Sequence, residues 1–247
     1  MVRRFFPQQT FLLHPFFVQD KNSERLLNKV GLKNVTISGD TRFDRVYNVS
    51  QNVKPNKLLE IFKQDKKLIV AGSTWLEDEK LLQSYKLQVA SCKLVIAPHE
   101  TGVEHIDIIL SLFKNSKTIL YSKANENNIA DADVLIIDNV GMLSSLYQYA
   151  SVSFIGGGFG GGIHNILEAA AFGSPVVFGP NYQNFNEAKD LIELKGAFSI
   201  SNSQELESRF NSLLSDEKLL QQTSAVCKNY ILNKKGATEM ILSRIGI

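Results

Sequence analysis

The sequence is poor in the residues that mark disulfide scaffolds, zinc sites and membrane spans. Its 247 residues include only two cysteines, Cys92 and Cys227, with neither a CxxC pair nor a Cys/His spacing. This argues against a disulfide framework and a structural zinc site. No apolar run approaches the roughly 20 residues that a transmembrane helix needs. Together these absences favour a reducing, cytoplasmic setting.

The sequence also lacks a strong charge of either sign. The net charge is +2 and the isoelectric point is about 8.4, which is too mild a balance to indicate a nucleic-acid partner. Hydrophobic residues make up 44% of the chain and charged residues 21%. This composition is typical of one large globular domain or two small ones with a sizeable core.

The first twenty residues, "MVRRFFPQQTFLLHPFFVQD", combine two arginines with a run of aromatics. Pro7, His14 and Pro15 interrupt the apolar stretch and no small-residue cleavage site follows, so we do not interpret it as a signal peptide. The aromatics predict either a core surface that another part of a protein covers or a patch that faces a membrane.

Apolar runs alternate with helical patterns along most of the chain. This order predicts an α/β fold with a parallel sheet covered by helices on both faces, and ligands of such sheets bind at the carboxyl ends of the strands. Residues 48–57, which are polar and contain Pro55, are the best linker candidate. The segments that follow predicted strands are 72–74, 98–100, 156–158 and 179–181.

The most informative segment is "FIGGGFGGGIHNILEAAAFGSPVVFGP", residues 154–180, with six glycines in seven positions. It predicts a strand, a loop and a helix; the glycines let a ligand approach the backbone, and the free N–H groups at the helix start suit an anion. Gly156, Gly158 and Gly161 also spell GxGxxG. A dinucleotide site remains open but lacks the acid expected after the next strand, and a turn that binds nothing is the other alternative.

Asn165 and Glu168 share one face of that predicted helix. A carboxylate there can accept both hydroxyls of a ribose while Asn165 and the nearby N–H groups take a phosphate. The alternative for Glu168 is a solvated surface residue, but its neighbours in "ILEAAA" are apolar.

Polar residues at two other strand ends are candidates with structural alternatives. His99 and Glu100 follow "LVIAP", where a histidine often only caps or packs. Ser73 and Thr74 either cap the next helix or bind an anion there, because both roles use the same N–H groups. We interpret His14 and His105 as structural. The segment "GDTRFDRV", residues 39–46, is interpreted as a turn in which Arg42 and Arg45 pair with Asp40 and Asp44, with direct substrate contact as the alternative.

Several segments together resemble one protein family in order and spacing. "GDTRFDRV", "AGSTWLEDE", "APHE", "DNVGMLSSLYQYASVSFIGGGFGGGIHNILEAAAFGSPVVFGPNYQNFNEA" and the late "KGA" are similar to the C-terminal half of 3-deoxy-D-manno-octulosonic acid (Kdo) transferases, most of all to those of Bacteroidetes. The resemblance runs from about Phe16 to Ala197. It implies a GT-B glycosyltransferase that moves Kdo from CMP-Kdo to the lipid A precursor at the cytoplasmic face of the inner membrane.

The resemblance also implies an organisation and a site. Residues 1–50 are expected to be a remnant of the N-terminal acceptor domain with the interdomain linker, and residues 51–247 the C-terminal Rossmann-like domain that binds CMP-Kdo. The family has its catalytic base in the N-terminal domain, so we predict no catalytic residue here and an inactive chain on its own. No metal and no cofactor are expected. The predicted substrate-binding residues are Ser73, Thr74, Pro98, His99, Glu100, Gly141, Met142, Leu143, Gly158, Gly160, Gly161, Gly162, Asn165, Ile166, Leu167 and Glu168.

The sequence leaves other functions open. Many members of the family have Arg at the position of His99, so the contact to the donor is expected to be weaker or pH-dependent. The alternatives are a UDP-sugar epimerase, a lipid A disaccharide synthase, or a nucleotide-sugar binding module with no activity of its own.

Overall fold

The computed structural model describes residues 15–88 and 92–247. The aromatic stretch that predicts a covered or membrane-facing surface therefore lies mostly outside the described residues. Within them, no helix is long and apolar enough to cross a bilayer. Contacts divide the chain into two compact units, one formed by the segment up to Tyr47 with residues 232–247, the other by Asn48–Ile231. The predicted domain boundary at residue 50 stays a prediction.

The smaller unit contains two parallel strands, β1 (Phe16–Val18) and β2 (Val35–Ile37), with helix α1 (Lys21–Lys29) between them in sequence. The sequence predicts Asn22 or Ser23 as the cap of α1. The cap is instead Asp20, whose side chain accepts a 2.7 Å hydrogen bond from the Ser23 N–H. An aspartate in this place satisfies an unpaired donor and adds a favourable charge at the helix start.

The segment Gly39–Val46 is not the turn that the sequence predicts, because helix α2 (Thr41–Asn52) begins inside it. The pair of Arg42 with Asp40 is confirmed at 2.7 Å. Asp44 instead accepts hydrogen bonds from the N–H groups of Gly236 and Thr238, at 2.5 and 2.8 Å. This holds the start of helix α11 (Ala237–Ile245) within the smaller unit.

The predicted linker is shorter than residues 48–57. Its first half completes α2, and helix α3 (Lys57–Lys63) begins at its last residue, with Asn56 as the N-cap. The side chain of Asn56 accepts from the N–H groups of Leu58 and Leu59. Only residues 53–56 around Pro55 lie outside a helix, because proline cannot continue α2 while Asn56 starts a new helix.

The larger unit is a parallel sheet of seven strands with helices packed against it, which confirms the predicted α/β fold. The strands are β3 (Lys67–Thr74), β4 (Cys92–Pro98), β5 (Thr118–Leu120), β6 (Val134–Ile136), β7 (Val152–Ile155), β8 (Val176–Phe178) and β9 (Ala197–Ser199). The helices are α4 (Leu76–Gln88), α5 (Val103–Leu112), α6 (Leu143–Leu146), α7 (Leu167–Ala171), α8 (Asn186–Glu193), α9 (Ser203–Ser215) and α10 (Glu217–Lys234), and α10 extends into the smaller unit. Short 3-10 turns occupy Tyr121–Lys123 and Tyr147–Tyr149.

The strand order, β5-β6-β4-β3-β7-β8-β9, reverses direction at β3. The chain moves from β3 toward one edge and then returns to place β7 on the other side of β3. The five inner strands, β6, β4, β3, β7 and β8, are almost completely buried because both faces of the sheet are covered, whereas the edge strands β5 and β9 are partly exposed. Such a reversal leaves a crevice at the carboxyl ends of the strands beside it, so the loops after β3, β4 and β7 meet at one place.

Candidate functional site

The glycine loop that follows β7 folds into a closed turn. The carbonyl of Gly157 accepts hydrogen bonds from the N–H groups of Gly160 and Gly162, at 3.0 and 3.1 Å. Gly157 and Gly162 have φ values of +88° and +129°, a region that side-chain-bearing residues rarely adopt. The sequence therefore predicts the loop correctly, and two of its glycines are required by backbone conformation.

The glycines of this loop divide into packed and open positions. A Cβ on Gly156 would lie 2.2 Å from the carbonyl oxygen of Ser73, and one on Gly158 would lie 2.6 Å from the N atom of Gly179. These residues let the ends of β3, β7 and β8 approach each other. Gly160 and Gly161 are exposed, and a Cβ there would meet nothing closer than 3.7 Å. They are the part of the loop that a ligand can reach.

A buried aspartate ties this loop to the start of α4. Asp78 is 1% exposed, and its Oδ2 accepts hydrogen bonds from the N–H groups of Trp75 and Gly157, each at 2.9 Å. Burial raises the pKa of Asp78 to about 6, although the two hydrogen bonds act in the opposite direction. Asp78 does not stand out in the sequence, because an acid in the first turn of a helix usually serves only the helix dipole.

Thr74 belongs to a buried network rather than to the surface of the site. Its hydroxyl donates to Oε1 of Glu79 at 2.9 Å, and the ring Nε2 of His105 lies 2.9 Å from the same oxygen. Thr74 and Glu79 are both fully buried, and burial raises the pKa of Glu79. The hydroxyl of Thr74 thus makes an internal hydrogen bond, and its contact with a ligand stays a prediction, while the structural role predicted for His105 fits its contact with Glu79. Ser73, with φ +53°, is the neighbouring residue at this strand end that remains half-exposed.

Three aromatic rings stack above the ends of β3, β4 and β7. The ring of His99 stacks on Trp75 at 4.6 Å between centroids and on His164 at 4.5 Å. The indole Nε1–H of Trp75 donates to Nε2 of His164 at 3.1 Å, so this nitrogen carries no proton. Burial and the neighbouring His99 lower the pKa of His164. His99 itself is exposed, so the stack fixes the orientation of a ring that a ligand can reach.

Asn165 and Glu168 lie together at the start of α7, as their spacing predicts. Nδ2 of Asn165 donates to Oε1 of Glu168 at 3.1 Å, and Oδ1 of Asn165 accepts from the N–H of Leu167 at 3.1 Å. The helix itself has only five residues, so these two side chains carry more of the site than the helix end does. Ile166 and Leu167 are buried, so neither presents an accessible atom to a ligand in this structure, and their predicted contact stays a prediction.

The remaining predicted residues come from the loops after β4 and β6. Pro98 is buried as the last residue of β4, and Glu100 is exposed just beyond it. Gly141 is exposed with φ +90°, and Met142 directly precedes α6. A Cβ on Gly72 of β3 would lie 2.7 Å from a methyl carbon of Leu143, so the start of α6 packs directly against the strand that leads to Ser73.

Sequence reasoning missed Trp75, Asp78, Glu79 and His164 as parts of this site. Two signals were present: the acids of "WLEDE" directly follow a strand end, and His164 stands inside the glycine segment between Gly162 and Asn165. Their burial and mutual contacts are tertiary features. Within the described residues, no three His, Cys, Asp or Glu side chains are grouped so that they could hold a metal ion.

Comparison with known proteins identifies the family of this chain. A scan against protein-family models finds no match. The chain is 30% identical over 205 residues to the 3-deoxy-D-manno-octulosonic acid transferase of Rickettsia bellii, which covers 80% of this chain and 48% of the relative. It is 31% identical over 194 residues to the enzyme of that name from Aquifex aeolicus, with 76% and 50% covered. The resemblance to Kdo transferases is confirmed. The chain spans about half the length of the curated relatives it matches.

Solved structures confirm the fold. The C-terminal CMP-Kdo binding domain of WaaA from Acinetobacter baumannii superposes with a TM-score of 0.61 at 22% identity, covering 77% of this chain and 97% of that domain. A UDP-N-acetylglucosamine 2-epimerase gives the same TM-score at 14% identity, with 97% of this chain and 60% of the other covered. The described sheet therefore has the architecture of the C-terminal domain of a GT-B fold. At these identities the structures support the fold and not a ligand.

Proposed function

We propose that this chain is the donor-binding part of a glycosyltransferase that transfers Kdo from CMP-Kdo to the lipid A precursor in lipopolysaccharide biosynthesis. The sequence similarity to Kdo transferases over three quarters or more of the chain supports the family. The observation that carries the proposal is the pairing of Asn165 with Glu168 beside the open glycines at the point where the strand order reverses.

Each part of the site has a role in this proposal. The carboxylate of Glu168 accepts the two ribose hydroxyls of CMP, since a carboxylate can accept several hydrogen bonds at once. Gly160 and Gly161 allow the phosphate to approach the backbone. His99, held by the stack on Trp75 and His164, faces the negatively charged part of the donor. Gly141, Met142 and Leu143 line the same edge from the loop after β6.

In the reaction, this part of the protein would stabilise the departing CMP by fixed hydrogen-bond donors and dipoles. The base that removes the proton of the acceptor hydroxyl is proposed to come from the part of the full protein outside this chain. For that full protein we propose the cytoplasmic face of the inner membrane as its place of action, where the donor and the lipid acceptor meet.

The direct test is the affinity of the chain for CMP, measured by calorimetry, before and after Glu168→Ala. Removing a charged acceptor of two hydrogen bonds should cost roughly 1.5 to 3 kcal/mol of binding free energy. Glu193→Ala is the matched control, because Glu193 is an exposed acid at the end of α8, away from the carboxyl ends of the strands. An affinity of Glu168→Ala within about twofold of the original would refute the assignment.

A further inference from the structure

Asp78 joins two segments that are 79 residues apart in sequence. One oxygen, Oδ2, accepts from the N–H of Trp75 at the start of α4 and from the N–H of Gly157 in the glycine loop. The first bond is the one that an acid at the third position of a helix makes to the N–H of the residue before the helix. The second bond holds a residue of the glycine loop. The side chain that makes it is 1% exposed, so no ligand can reach it.

Gly157 is the residue on which the shape of the glycine loop depends. Its carbonyl closes the turn by accepting from Gly160 and Gly162, so its peptide planes set the direction of the open glycines. A Cβ on Gly157 would also lie 3.1 Å from Cδ2 of His164, which shows how closely that ring follows the turn. A shift of Gly157 would therefore move both the open glycines and one ring of the aromatic stack.

The fold does not explain Asp78 by itself. Its second oxygen, Oδ1, is buried without a hydrogen-bond partner, and the adjacent Glu79 has a buried Oε2 in the same condition. Burying a carboxylate costs free energy unless its oxygens are hydrogen-bonded, and an unsatisfied buried group in a native protein calls for a reason. An acid at the third position of a helix can accept from the N–H before the helix while it stays exposed, so capping α4 does not account for the burial.

We propose that Asp78 is a positioning residue of the donor site, whose Oδ2 holds the N–H of Gly157 and thereby keeps the turn Gly157–Gly162 and the ring of His164 in the form that accepts the nucleotide. This inference rests on the proposed function, because the ligand is the CMP moiety of the donor. The essential property is the acceptor atom at this position. Asparagine, which presents an oxygen in the same place, should replace it.

The experiment compares Asp78→Ala, Asp78→Asn and the control Glu77→Gln, an exposed acid in the same helical turn. Two quantities are measured on each full chain: CMP affinity by calorimetry, and hydrogen exchange of the Gly157 amide by NMR on glycine-labelled protein. We expect Asp78→Ala to lower CMP affinity about tenfold or more and to speed exchange at Gly157 at least as much. Asp78→Asn should keep both within about threefold, and Glu77→Gln should change neither.

Each outcome decides the inference. An Asp78→Ala protein that is folded and binds CMP as the original does would overturn it, and so would an Asp78→Asn protein as impaired as Asp78→Ala. If Asp78→Ala does not fold, the hydrogen exchange of the original protein decides. Exchange of the Gly157 amide as slow as that of Gly156, together with intact CMP binding by Asp78→Asn, supports the inference. Exchange of the Gly157 amide as fast as that of Gly161 overturns it. If the original protein does not bind CMP, the proposed function fails, while the Gly157 exchange rates still report whether the hydrogen bond from Gly157 to Asp78 exists.

Discussion

The two ends of the seven-stranded sheet bury opposite charges in different ways. At the amino end, the ammonium groups of Lys86 and Lys93 donate to the carbonyl oxygens of Cys92 and Ala130, both at 2.7 Å, and Lys93 also lies over the ring of Phe62. At the carboxyl end, Asp78 and Glu79 are equally buried, yet each keeps one oxygen without a hydrogen bond.

This difference shows where the molecule tolerates an energetic cost. A lysine has a flexible stem that lets its charged group find an acceptor at the edge of the core, so the amino end is satisfied and serves stability. A short carboxylate has no such reach, and its unsatisfied oxygens lie beneath the loops of the candidate site. Local conflicts with the rules of stable folding are expected at functional sites, and in the part of the chain that the structure describes the buried side-chain oxygens without a hydrogen bond are those of Asp78 and Glu79, at the carboxyl end.

The largest expected effect comes from adding a methyl group where the strand ends touch. Gly156→Ala should lower the free energy of unfolding by about 3 kcal/mol, because its Cβ would lie 2.2 Å from the backbone oxygen of Ser73. Gly161→Ala is the control, since a Cβ there meets nothing within 4 Å, and it should change stability little. Denaturant unfolding measures both. Equal stability of the two variants would show that the loop is not packed as described.

A second prediction concerns the pH dependence that the buried acid gives to stability. The pKa of Asp78 is raised from 3.8 to about 6 in the folded protein. Between these values the folded state holds a proton that the unfolded state releases, so this contribution to stability is present below pH 4 and is lost as pH rises through 6. Asp78→Asn cannot titrate. The unfolding free energy of the original protein, relative to Asp78→Asn, should therefore fall by up to about 3 kcal/mol between pH 4 and pH 7.

Denaturant titrations of the two proteins at several pH values test this directly. Lys93→Met, at the amino end of the sheet, is the comparison that sharpens it, because it leaves Asp78 intact and should show the same fall relative to Asp78→Asn as the original protein in this range. A difference between the original and Asp78→Asn that is constant with pH, or that rises toward pH 7, would contradict the account of the carboxyl end.

The smallest expected effect is in the aromatic stack. Trp75→Phe keeps a ring but removes the N–H that donates to Nε2 of His164. Because that bond favours the neutral imidazole, the pKa of His164 should rise from its lowered value, and stacking with His99 should persist. An NMR titration of the histidine rings measures the change. A pKa of His164 that stays the same or falls would mean that burial and His99 control it without the bond from Trp75.

The sheet was largely predictable because its strands are nearly continuous apolar runs. Segments such as "KKLIVAGS" and "KLVIAP", which lie between helical patterns, are typical of parallel strands that are buried on both faces. The sequence pattern does not predict helix α8 or the short strand β9. A strand of three residues has too few positions to show a pattern. Helix α2 was misread as a turn because its charged start looks like a salt-bridged loop, whereas the backbone oxygen and carboxylate of Asp40 accept from the N–H groups of Phe43 and Arg42 and open a helix.

The site was predictable only where single residue types impose a conformation. Clustered glycines mark a loop with positive φ values, and the spacing of Asn165 and Glu168 puts them on one face. The buried pair Asp78 and Glu79 could not be foreseen, because acids in the first turn of a helix are usually solvated and favourable there. Nothing in the local pattern indicates that α4 places Asp78 against Gly157 of the glycine loop and Glu79 against Thr74 and His105. The stack of Trp75, His99 and His164 likewise exists only because three separate strand ends meet.

The central claim is that the carboxyl end of this sheet binds the cytidine nucleotide of CMP-Kdo. Calorimetric titration of the same preparation with CMP and with UDP tests it most directly, because the fold is shared with UDP-sugar epimerases and the similarity in sequence is to Kdo transferases. The account predicts saturable binding of CMP with at least tenfold weaker binding of UDP. Tighter binding of UDP, or no binding of CMP, would contradict it.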